Sequence, residues 1–120
     1  MKLVLASQGF TTDEIAQAVA DVAEKPLDVL RVAVINEAYS GIRAGSDQRW
    51  MINELSLLAT YIGGPISFVN LRALKLDEVE QALEFADLIY IVGGAQIVLP
   101  KLFKETGFDQ LLRRIAHDKV

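Results

Sequence analysis

Apolar residues along this chain fall into two alternating patterns. Leu3-Val4-Leu5-Ala6, Val29-Leu30-Arg31-Val32-Ala33-Val34-Ile35, Ile66-Ser67-Phe68-Val69-Asn70-Leu71 and Leu88-Ile89-Tyr90-Ile91-Val92 are short runs with the length and β-branched content of strands. The segments between them carry apolar residues at helical spacing. Thr11-Thr12-Asp13-Glu14 offers caps and first-turn acids for a helix reaching about Glu24, with Pro26 to end it. Ser46-Asp47 opens a second helix, in which Trp50, Met51, Leu55, Leu58 and Ile62 face the sheet before Gly63-Gly64-Pro65 stops it. Asp77 caps a third, with Val79, Leu83 and Ala86 turned inward. Ile97, Leu99, Leu102 and Phe103 mark a fourth, closed by Gly107, and Asp109 caps a last one through Leu111, Leu112, Ile115 and Ala116.

Strands apolar on both faces, each followed by a helix, predict a parallel sheet covered on two sides: a three-layer α/β/α sandwich. The expected strands lie at about 2–6, 29–35, 66–71 and 88–92. Right-handed crossovers place all their carboxyl ends on one rim, where such folds bind ligands. The 120 residues suit a single α/β domain spanning 1–120, without repeats or linkers.

Composition narrows the chemistry. Hydrophobic residues make up 52%, enough for a core, and the 16 acidic and 12 basic residues are mixed without a like-charge block. Nucleic acid needs a concentrated basic face and is excluded as a partner. No cysteine is present, which removes disulfides, thiolate metal sites and a cysteine nucleophile. No metal-ligand cluster stands out, and no apolar stretch approaches the ~18 residues of a membrane span. A soluble protein of the cytoplasm is expected.

Four loops leave the strand ends: Ser7-Gln8-Gly9-Phe10, Asn36-Glu37-Ala38-Tyr39, the loop after Leu71, and Gly93-Gly94-Ala95-Gln96. The first has only Gly9, so a Rossmann dinucleotide site fails, and no Gly-Lys-Ser/Thr follows either glycine pair to make a phosphate loop. Ser7, Gly9, Thr11 and Thr12 approach a flavodoxin-type flavin phosphate loop, although their spacing does not match it. Gly93-Gly94 admits two readings. The glycines either let the chain turn sharply from strand to helix, or they bare backbone N–H groups that stabilise a developing anion.

The segments Leu5-Ala6-Ser7-Gln8-Gly9-Phe10 and Ala86-Asp87-Leu88-Ile89-Tyr90-Ile91-Val92-Gly93-Gly94, followed by Leu99, Leu102, Gly107 and Leu111-Leu112, resemble the peptidase E family of serine peptidases. That family comprises the aspartyl dipeptidases and their cyanophycinase relatives, with a fold like the class I glutamine amidotransferases, itself flavodoxin-like in layering. The resemblance implies that Gly93 and Gly94 form part of an oxyanion hole, and that Ser7, Gln8, Gly9, Ala95 and Gln96 border a small peptide substrate. It implies no cofactor. Where the family usually continues the turn with Asn-Thr, this chain has Ala95-Gln96.

The family's nucleophile sits in a Gly-x-Ser-Ala-Gly elbow after a fifth strand, and its histidine follows later. This chain ends at Ala116-His117-Asp118-Lys119-Val120, where that strand should begin, so the resemblance covers an N-terminal half truncated before the fifth strand. Ser7, Ser40, Ser46, Ser56 and Ser67 are the serines present, and none occupies such an elbow. His117 reads as a cap residue in the last helix, and Arg113-Arg114 as solvated complement to that helix's dipole. Glu37 and Asp87 cannot pair, because Asp87 begins its strand and lies at the opposite rim. The expectation is a peptidase-like half-domain, inactive alone. Rival expectations are a non-catalytic binding or assembly module, one half of a split enzyme that meets a complementary C-terminal half, and a flavodoxin-like cofactor binder. Truncation there would leave Leu88 to Val92 as an open sheet edge and favour a homo-oligomer.

Overall fold

The computed structural model describes residues 9–35, 47, 49–92 and 98–115. Strand β1 (Val32–Ile35) is buried along its whole length, as a β-branched run between two helical layers must be. It pairs in parallel with β2 (Ile66–Phe68) on one side and with β3 (Leu88–Ile91) on the other, giving the order β2-β1-β3. Val32 stands opposite both Ile66 and Leu88, and Val34 opposite Phe68 and Tyr90. The first expected strand, at 2–6, lies outside the described residues.

Because strand side chains alternate, β1 feeds two cores. Val32 and Val34 pack with Leu88, Phe10 and the inner faces of α1 (Asp13–Ala23) and α2 (Arg49–Tyr61), through Ala16, Val19 and Leu58, and with Ile62 just beyond α2. Ala33 and Ile35 pack with Val69 and Leu71, with Val79 and Leu83 of α3 (Leu76–Glu84), and with Phe108 and Leu111 of α5 (Phe108–Ile115). Each fully buried Leu, Ile or Val contributes roughly 1.5–3 kcal/mol. The described elements therefore form the three layers that the alternation predicts. Helix α4 (Val98–Thr106) joins the second core through Phe103, whose ring lies 4.8 Å from that of Phe108.

Several boundaries differ from those the sequence suggests, for local reasons. Helix α1 begins as expected, with the Thr12 hydroxyl accepting from the Ile15 N–H, but it stops at Ala23 because Glu24 turns left-handed (φ 58°). Pro26 then starts a 3-10 turn, Leu27–Val29, instead of ending the helix itself. That turn takes Val29 out of the expected strand and leaves it exposed. Gly64 explains the tight fit there: a Cβ on it would meet the Leu30 carbonyl oxygen at 2.0 Å, so the exit of α2 rests directly on the backbone entering β1.

Strand β2 ends at Phe68, although Val69 and Leu71 stay buried, because the Asn70 side chain accepts from the N–H groups of Arg72 and Ala73 and bends the chain away. Asp77 and Asp109 lie inside the first turns of α3 and α5 and do not cap them. The residue before α3 is Lys75, whose N–H is taken by Glu78. Gly107 closes α4 as expected, at φ 75°. Trp50 does not pack on the sheet: it is 38% exposed, and the buried stripe of α2 runs through Glu54 and Leu58. Arg114 is not merely solvated, since its guanidinium pairs with Glu80 at 3.0 Å and ties α5 to α3.

Candidate active site

The rim lies at the carboxyl ends of the strands. Strand β3 stays in register to its last residue, and the N–H of Val92, fully buried, still donates to the Ile35 carbonyl at 2.9 Å. The ladder thus delivers the chain, rigidly held, to the position immediately before Gly93. Helix α4 resumes at Val98. Gly93, Gly94, Ala95 and Gln96 lie outside the described residues, as do Ser7 and Gln8.

The first turns of α2 and α4 carry no acidic residue, whereas α1, α3 and α5 have Asp13 with Glu14, Asp77 with Glu78, and Asp109. Carboxylates there would neutralise the positive end of a helix dipole.

Gly9, the described member of the first loop, has φ 70°. Its Cα sits against the phenol of Tyr90: an added Cβ would lie 1.8 Å from the Tyr90 hydroxyl oxygen and 3.4 Å from Glu54 Oε1. Both the dihedral and the space therefore demand glycine. Phe10 is buried and stacks with two tyrosines, its ring centroid 5.8 Å from Tyr61 and 6.1 Å from Tyr90. The Tyr90 hydroxyl donates to Glu54 Oε1 at 2.9 Å, and the Tyr61 hydroxyl donates to Asp13.

Burial, followed by the hydrogen bond to Glu54 and the charge of that group, raises the Tyr90 phenol well above its ordinary value. The Tyr61 phenol is also raised, first by its bond to Asp13 and then by burial. Both remain protonated donors at neutral pH and cannot serve as bases there. Glu54 is the buried charged residue among those described, at 7% exposure. The sequence held a sign of this cluster that periodicity alone passes over. Glu54 stands three residues after Met51 and four before Leu58, a charge on the apolar stripe, and Tyr90 is the polar side chain in an otherwise aliphatic run.

At the opposite rim, Asp87 accepts from Lys25 Nζ at 2.7 Å and from the Arg31 N–H, Nε and Nη2 at 3.1, 3.2 and 3.2 Å. These bonds, Arg31's side chain foremost, hold its carboxyl far below the usual carboxylate range. Asp87 is thereby committed to structure. Ser56 and Ser67 are exposed, and among the described residues neither hydroxyl meets a histidine or carboxylate base. Ser40, Ser46, Glu37 and His117 lie outside the described residues. No three His, Asp or Glu side chains converge as metal ligands among the described residues, and no described helix is long and apolar enough to cross a membrane.

Comparison with curated proteins and with solved structures yields no significant match. The profile of peptidase family S51, the peptidase E family, matches residues 3–119. The match extends over nearly every residue, and the chain belongs to peptidase family S51.

Proposed function

We propose that these 120 residues supply the oxyanion turn and part of the substrate rim of a serine-type peptidase acting on small peptides, with an aspartyl dipeptide as the substrate class. The carrying observation is the pair of described elements that flank the glycine pair in the sequence. Strand β3 is laddered through Val92, and α4 begins at Val98 with no acid in its first turn, so along the sequence the glycine pair falls between a paired strand end and a helix start. A serine attacking the peptide carbonyl would push negative charge onto the carbonyl oxygen, and the Gly93-Gly94 amides would stabilise that tetrahedral oxyanion. Expulsion of the amine and hydrolysis of the acyl-enzyme complete the transfer to water.

No Gly-x-Ser-x-Gly elbow occurs within these residues. By themselves they stabilise a charge that none of their own groups creates. The test is a nitrogen-15 NMR titration of the chain with aspartyl-leucine dipeptide. The expected result is shifts concentrated at the amides of Gly9, Gly93 and Gly94, without turnover. Shifts confined to residues far from the rim would refute the reading.

A second reading, an assembly module, is favoured by one observation. Strand β3 has a strand partner on one side only among the described residues, and its Ile91 is 39% exposed. An edge left open there would be a template for another strand, whether from a second copy or from a complementary half. Sedimentation velocity showing a monomer at all concentrations would count against it.

A further inference from the structure

We propose that Tyr90 and Glu54 are positioning residues that lock the backbone at Gly9 onto β3, setting the spacing between the first rim loop and the strand that runs into Gly93-Gly94. Three elements meet at one point. Glu54 comes from α2, Tyr90 from β3, and Gly9 from the loop entering α1. Glu54 occupies a place on the buried stripe of α2 where an aliphatic side chain would pack without loss of hydration. Its carboxylate accepts from the Tyr90 hydroxyl, and that bond aims the phenol. The aimed oxygen then fills the volume a Cβ would take at Gly9.

The grip extends along the loop. Phe10 is stacked on the same Tyr90 ring and on Tyr61, which is tied to Asp13 of α1. The Thr11 N–H closes back onto the Gly9 carbonyl at 2.9 Å. The loop therefore meets α2 and β3 at two consecutive residues, Gly9 and Phe10. Among the described residues, the phenol is the group that joins it to the strand leading to the glycine pair. The importance of that spacing for catalysis rests on the proposed function above; the clamp itself does not.

The experiment is amide hydrogen exchange on the 120-residue chain, read at Thr11 and at the sheet amides of Val32 and Val69. Tyr90→Phe and Glu54→Leu should each speed exchange at Thr11 about tenfold, the factor that one ordinary hydrogen bond gives, while the sheet amides keep their rates. Glu54→Gln keeps an acceptor for the phenol and should restore Thr11 to near the parent rate. Unchanged exchange at Thr11 in Tyr90→Phe, or a rise equal to that of the sheet amides, overturns the proposal. A second measurement covers a variant that folds poorly. Gly9→Ala should lower the urea midpoint more in the parent chain than in the Tyr90→Phe background, where the clashing oxygen is gone, and equal losses overturn the clamp. Adding aspartyl-leucine dipeptide to the parent chain separates the two claims, since a Gly9 amide that does not respond removes the substrate reading while leaving the exchange result to judge the clamp.

Discussion

Asp87 and Tyr90 stand three residues apart in the sequence and at opposite ends of β3, and their chemistry is opposite too. Asp87 gathers a lysine, a guanidinium and a backbone N–H, and its side chain is 13% exposed. Its folded pKa is depressed, so the stability it contributes is present above the unfolded value near ~3.9 and is lost as pH falls through the folded value. Asp87→Asn should destabilise the chain by about 1–2 kcal/mol at neutral pH, and urea unfolding should show the loss shrinking in strong acid. Tyr90 and Tyr61 have raised pKa values, which reverses the sign. Their contribution is complete below the unfolded tyrosine value near ~10 and disappears as pH rises through the folded values. Phenolate absorbance followed with unfolding above that pH should show two tyrosines ionising late and together with loss of structure, and Tyr90→Phe should flatten the dependence.

At the level of elements, much was legible because local rules and burial agreed. The Thr12 cap, the left-handed Gly107, the inward Val79 and Leu83, and the parallel strands at β1, β2 and β3 all follow from patterns with one physical solution. Thr12→Ala should lower stability by about 1 kcal/mol through the lost cap. Phe108→Ala should cost roughly 3–5 kcal/mol, because the ring is fully buried where α4, α5 and the sheet meet. Both losses are measurable as shifts in denaturation midpoint. Boundaries were less legible. Val29 scores as strand on its own side chain, yet Pro26 and the backbone contact at Gly64 place it in a turn. Trp50 fits the apolar period of α2, but the helix is rotated so that Glu54 and Leu58 face inward.

For the whole molecule, the two cores on either side of one shared sheet make the three-layer fold, and the family match spans that fold from residue 3 to 119. The sharpest expectation is functional silence of the isolated chain: hydrolysis of aspartyl-leucine dipeptide should equal the rate without protein, as measured by amine release. Turnover above background that survives repurification would show a nucleophile among these residues. The sequence alone determined the alternation of elements, the glycine pair at the end of the last strand and the family, because periodicity, caps and motif order are properties of neighbours along the chain. The join of Glu54, Tyr90 and Gly9 was decided only in three dimensions. Glu54 and Tyr90 are 36 positions apart, no periodic rule relates them, and a buried carboxylate finds its donor only when helix, strand and loop have packed. The same holds for Asp87 with Arg31, 56 positions away. Long-range polar contacts are fixed by the geometry of packed elements, which a one-dimensional pattern does not contain.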